Sequence, residues 1–183
     1  MNGWRRQGRG ARLRLVAAVD RQEAAVLRGL VGEVRRMLAE RGGDAPTDEL
    51  VELTGMHVGP SELPTDRVLA RLLPDFSRED AELSGMLRSL REPELIEAKE
   101  ANAAVVLETC PADGGQVQLT VAQADAWLAA LNDVRLALGT ALDVTEDMGD
   151  ELPADEAAAG HLSVYHWLTF VQDSLVQTRG SVL

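Results

Sequence analysis

Twice in this chain a short stretch of alternating apolar and polar residues runs straight into one where apolar residues recur every three or four positions. This pair of transitions most restricts what it can fold into. In residues 12–17, Leu13, Leu15 and Ala17 alternate with Arg12, Arg14 and Val16; in residues 117–121, Val117, Leu119 and Val121 alternate with polar neighbours. A period of two marks a half-buried strand, and a period near 3.6 a helix packed on one side. Each switch carries a helix-start signature: Asp20 with Glu23 after the first, and Thr120 with Gln123 after the second. An isolated strand leaves its peptide groups unpaired, so the two strands are expected to pair with one another. The expected fold is mainly α, a helical bundle-like single domain with a small two-stranded β ribbon.

The helical periods fill most of the remainder. Leu27, Leu30, Val31, Val34 and Leu38 form one stripe, ended by Gly42 and Gly43. Residues 68–73 predict a short helix stopped by Pro74. Ser77 and Asp80 cap a helix bearing Leu83, Leu87 and Leu90, and Pro93 suits the first position of a separate helix carrying Leu95, Ile96, Ala103, Val106 and Leu107. The best amphipathic segment follows Thr120, with Ala124, Trp127, Leu128, Leu131, Val134, Leu138 and Leu142. A last helix over residues 162–177 places Tyr165, Leu168, Val171, Gln172 and Leu175 on one side. Irregular connections are expected near 42–66, around a short helical candidate at 48–54, and near 145–160, which is acidic. Residues 1–10 read as a basic arm and 11–183 as one domain.

Charge is distributed unevenly. The net charge is -12, yet residues 1–14 hold five arginines and no acid, leaving 13 basic against 30 acidic residues, or -17, for the rest. Such a body repels nucleic acid at long range, while the basic end attracts phosphate or an acidic protein surface. Trp4, Arg5, Arg6, Arg9, Arg12 and Arg14 are therefore candidate partner or DNA contacts. Against this stand two plainer roles, a strand edge kept from aggregating by charge and, for Trp4, packing on the protein's own helices. No apolar run approaches the roughly 20 residues of a membrane-spanning helix. The single cysteine, Cys110, excludes a disulfide framework within one chain, and a cytoplasmic location is expected.

A reacting set is not found in the sequence, so an enzyme is not expected. Cys110 has no neighbour that would activate it, and there is neither a nucleophile elbow nor a phosphate-binding loop. His161 and His166 are five apart and His57 is distant, so no imidazole pair shares a helix face for a metal. No cofactor is expected. Residues 49–55 look like the start of a helix-turn-helix, but Pro60 and Pro64 interrupt the segment that would enter the groove, and acids surround it.

Four segments carry a family resemblance. The run WLAALNDVRLALGTALDVTE at 127–146 is the specific one; WRRQGRG at 4–10, RLLPD at 71–75 with the acidic stretch after it, and YHWL at 165–168 accompany it in order. Together they resemble the actinobacterial family typified by the oxidative-stress regulator AosR and long catalogued as a domain of unknown function. The resemblance implies a non-enzymatic transcriptional regulator that works with a sigma factor or RNA polymerase and is tied to cysteine biosynthesis. An adaptor that binds metabolic or proteolytic proteins and never approaches DNA is the alternative. With Cys110 alone, oxidant sensing would need an intermolecular disulfide or another thiol modification, unless the chain is not the sensor. Ala141 stands where a basic residue is expected after Gly139 and Thr140. Trp127, Leu131, Asn132, Asp133, Arg135, Leu136 and Gly139 are expected to be structural, with Asn132, Asp133 and Arg135 forming a polar network that ties the helix to the β ribbon or else meets a partner.

Overall fold

The computed structural model describes residues 1–43, 59–145 and 155–180. The expected helix at 48–54 and most of the acidic connection near 145–160 lie outside these residues. Three strands, β1 (Arg5–Gln7), β2 (Arg14–Val19) and β3 (Gly115–Leu119), form an antiparallel sheet in the order β1-β2-β3. The helices are α1 (Arg21–Gly43), α2 (Arg67–Leu72), α3 (Ala81–Thr109), α4 (Val121–Ala141) and α5 (Glu156–Gly180).

The expected pairing of the two strands is present, with Leu15 opposite Leu119 and Ala17 opposite Val117. A third strand corrects the two-stranded ribbon. β1 comes from the basic arm and pairs with β2, Arg6 opposite Leu15. Its turn back depends on Gly8, whose φ of +83° and lack of a side chain both matter, because a Cβ there would lie 2.4 Å from the Arg12 carbonyl oxygen. Residues 1–10 are thus part of the fold and no free arm. The Asn2 N–H donates to the Ala18 carbonyl at 3.1 Å, and the Met1 ammonium pairs with Glu23.

Both helix starts that follow the strands are capping boxes. Asp20 accepts from the Glu23 N–H at 2.8 Å while Glu23 accepts from the Asp20 N–H at 2.9 Å, and Thr120 with Gln123 repeats the arrangement. Helix α4 is central, touching α1, α2, α3, α5 and the sheet. Its Trp127 and Leu131 are fully buried, and Leu27, Leu38, Leu119, Leu168 and Leu175 close around the same core.

Helix α3 departs from expectation in two ways. Pro93 does not start a new helix but lies inside a continuous one of 29 residues. Proline lacks the N–H that would serve the carbonyl four residues back, here that of Ser89. The Gly59 N–H donates to that carbonyl at 2.8 Å instead, and Gly59 comes so close that a Cβ would sit 3.0 Å from the Pro93 ring. A neighbouring loop thereby supplies the donor that the helix lacks. Nor does the stripe of Leu83, Leu87 and Leu90 face the core. Leu83, Met86 and Leu90 are exposed, and the buried face is Ser84, Arg88, Glu92 and Ile96.

Candidate functional site

The basic segment becomes the open edge of the sheet. Arg5, Arg6 and Gln7 of β1 are exposed, as are Arg9 and Arg12 in the connection to β2. Arg14, half-buried, donates to the carbonyls of Leu13 at 2.7 Å and Ala11 at 3.3 Å, and so stiffens the connection. Four arginines therefore project from a hairpin only a few residues long, on a protein whose remainder is strongly acidic. An edge of this kind resists strand-to-strand aggregation, and it equally offers a concentrated cationic surface.

Trp4 does not belong to that surface. It is buried, and its ring meets Trp127 edge to face at a centroid distance of 5.3 Å. Its N–H donates to the Ser174 hydroxyl at 2.8 Å and its carbonyl accepts from Thr178 at 3.1 Å, so α5 clamps the backbone just before β1 begins. Of its two sequence readings, packing on its own helices is the one realised. The tryptophan fixes where the arginines emerge on the exposed edge of the sheet.

Cys110 caps the C-terminus of α3 and is buried. Burial pushes its thiol pKa up, and the nearby Arg28 guanidinium offsets this only in part. Arg28 is committed to structure, donating to the carbonyls of Leu107 at 2.5 Å and Cys110 at 2.7 Å. A thiol held neutral and covered reacts slowly, because the thiolate is the nucleophile.

The polar residues of the LNDVRLALG run part company. Asp133 turns to α3 and accepts from Lys99 at 2.5 Å, forming an ion pair in which both side chains are mostly buried. Burial raises the Asp133 carboxyl pKa, and Lys99 pulls it back partway. Arg135 turns to α5, donating to the Gln172 side chain and lying over the Tyr165 ring at 5.5 Å. Asn132 is exposed. The expected single network tied to the β ribbon is instead two separate ties, to α3 and to α5. Trp127, whose indole N–H donates to the Thr109 hydroxyl at 2.8 Å, and Leu131 pack internally, while Leu136 and Gly139 are half-buried, Gly139 against the Tyr165 ring.

Sequence reasoning missed a buried charge network on α3. Arg88 and Glu92 are 1% and 0% exposed and paired at 2.5 Å; Arg41 reaches the other Glu92 oxygen at 2.8 Å, and Arg88 also donates to the Leu73 and Pro74 carbonyls. The signal was the fourfold spacing of Ser84, Arg88, Glu92 and Ile96, which reads as a solvent face whenever charge is assumed to point outward. Among the described residues, no group of three or more His, Cys, Asp or Glu could hold a metal ion, and no helix is long and apolar enough to cross a membrane.

These features define a mainly helical protein in which a short sheet carries a cationic edge on an acidic body. The chain belongs to the family described as a domain of unknown function, DUF2017, which matches residues 1–179. It is 42% identical to the oxidative stress regulator AosR of Mycobacterium tuberculosis (strain ATCC 25618 / H37Rv) over 167 residues, covering 84% of this chain and 77% of that protein. The AosR of Mycobacterium bovis is similar to the same extent. The putative oxidative stress regulator AosR of Mycobacterium leprae (strain TN) is 40% identical over 188 residues, 94% of this chain and 86% of the relative. No solved structure matches.

Proposed function

We propose that this chain is a non-enzymatic regulator of the oxidative stress response that acts on transcription through a sigma factor or RNA polymerase, with the exposed arginines of the β1 edge as its contact. The observation that carries the contact is the concentration of Arg5, Arg6, Arg9 and Arg12 on one rigidly seated hairpin of an otherwise acidic protein. The regulatory role rests on the names of relatives at 40% and 42% identity. The acidic body disfavours broad contact with DNA, so DNA is met at the arginine edge alone, and the main partner is a protein with an acidic face. The link to cysteine biosynthesis is a consequence of which genes such a regulator controls.

The test is native affinity capture from cells with and without peroxide, with captured proteins identified by mass spectrometry. Recovery of a sigma factor or RNA polymerase by the parent protein, lost when Arg5, Arg6, Arg9 and Arg12 are changed together to Gln, is the expected result. Deleting residues 1–10 is the wrong variant, because it removes Trp4 from the core. Recovery of only metabolic or proteolytic proteins would replace this reading with that of an adaptor. Cys110→Ser is expected to keep the peroxide dependence of capture, since the folded chain covers that thiol. Its loss would make Cys110 the sensor.

A further inference from the structure

Three of the four segments that carry the family resemblance converge away from the sheet edge. Arg71 of RLLPD, on α2, Arg135, Leu136 and Gly139 of LNDVRLALG, on α4, and Tyr165 of YHWL, on α5, line one cleft of about 320 Å³, with Arg67 and Asp143 at its rim. That volume lies at the lower end of small-molecule sites, roughly 300–1,000 Å³. Three guanidinium groups against one carboxylate give the lining an excess of positive charge on a protein of net charge -12. Long-range attraction cannot gather anions here, so any anion held is held by local geometry.

The three arginines are not equivalent. Arg67 is committed to Asp143, which takes a φ of +52°, in the left-handed region that non-glycine residues rarely occupy. Arg135 is held in place by Gln172 and by the Tyr165 ring, yet its Nε is buried with no hydrogen-bond partner. Arg71 is exposed and pairs with no described residue. Tyr165 packs on Gly139, 3.3 Å from where a Cβ would stand, and with Leu136 forms the apolar side of the cleft. A guanidinium preorganised by Gln172 and the Tyr165 ring, a second, exposed guanidinium, and an aromatic wall together suit a phosphate group carrying a small organic substituent.

We propose that this cleft binds a small organic phosphate monoester, with the phosphate between Arg71 and Arg135 and the organic part against Tyr165 and Leu136. The site is independent of the arginine edge, so the failure of either reading leaves the other standing. The experiment is isothermal titration of the full chain, in a chloride buffer free of phosphate, with phenyl phosphate and separately with inorganic phosphate. One-site saturable binding of phenyl phosphate is expected. Arg71→Gln, at an exposed position whose loss leaves no buried group unpaired, should weaken it about tenfold, as expected for one charge-assisted hydrogen bond. Arg35→Gln, an equal charge change on the exposed face of α1, should leave it unaltered. Equal weakening by both variants would reduce the effect to general electrostatics and overturn the site, as would no saturable binding up to about 10 mM. Inorganic phosphate binding as tightly as phenyl phosphate would overturn the organic half of the proposal.

Discussion

The two halves of α3 are one continuous helix, yet they join the protein by opposite means. Beyond Pro93 the buried face is apolar, with Ile96, Ala103 and Val106 set against α1 and α4. Before it the buried face is Ser84, Arg88 and Glu92, while Leu83, Met86 and Leu90 look outward. The same i, i+4 geometry serves both, so periodicity alone does not choose which residues go inside. The neighbours choose. In the first half the α2–α3 connection offers the carbonyls of Leu73 and Pro74 and the Asp75 carboxylate, and α1 offers Arg41; these can satisfy a guanidinium and a carboxylate, and no leucine could use them.

The sharpest way to break this comparison is to remove one charge from the first half. Glu92→Ala leaves the buried Arg88 with only the more distant Asp75 carboxylate, at 3.2 Å, and takes the partner from Arg41, and should cost about 3–5 kcal/mol in urea unfolding. Pairing Arg88→Met with Glu92→Leu should restore most of that loss, because two apolar groups leave fewer charges unpaired. A single-variant cost below about 1 kcal/mol would mean that water reaches the pair, and the contrast between the halves would vanish. On the apolar side, Ile96→Ala should cost about 2–4 kcal/mol through lost burial and a residual cavity, with no partner substitution able to restore it.

The Lys99–Asp133 pair lies in the second half and tests whether its apolar character is complete. Asp133→Ala should cost about 2 kcal/mol, less than Glu92→Ala, because a single lysine partly reached by solvent is the group left behind. Its pH dependence has a definite sign. The Asp133 pKa is raised on folding, so the folded state keeps the proton to higher pH than the unfolded chain does. The stability associated with that proton is fully present below the ordinary aspartate range and is lost as pH rises through the raised value. Parallel urea titrations of the parent and Asp133→Asn should show the parent gaining relative to the variant as pH falls through that window; a gap that narrows instead would contradict the assignment. The smallest effect belongs to the outward stripe. Leu90→Ser should change stability by less than about 0.5 kcal/mol, and a larger loss would show that something covers this face in solution.

Much of the fold was legible because it follows local rules. The capping pairs Asp20 with Glu23 and Thr120 with Gln123, the apolar stripe of α4, and the pairing of β2 with β3 depend on residues close in sequence or on two alternating strands that each need a partner. The third strand was not legible. Arg5, Arg6 and Gln7 show no apolar alternation, and they form a strand because Trp4 is fastened to α5 and Gly8 turns the chain back on β2. Of the candidate site, the charge asymmetry could be read directly, whereas Trp4 could be placed only once α5 was in position. The joint destination of Arg71, Arg135 and Tyr165 had no sequence signal at all, since each lies on a different helix.

What the sequence determined alone is where most of the helical segments lie, the capped starts of α1, α3 and α4, and a cationic N-terminal segment on an acidic chain, because periodicity, capping and charge act over a few residues or need no geometry. Only the tertiary structure decided that Pro93 sits inside a helix, that Arg88 and Glu92 lie within the protein, and that Asp133 and Arg135 serve different neighbours. Each of those outcomes depends on a donor, acceptor or counter-charge brought from a distant segment: the Gly59 N–H for the Ser89 carbonyl, Arg41 for Glu92, Lys99 for Asp133, and Gln172 for Arg135. A buried polar group is stable only where such a partner arrives, and which partner arrives is a property of the packed chain.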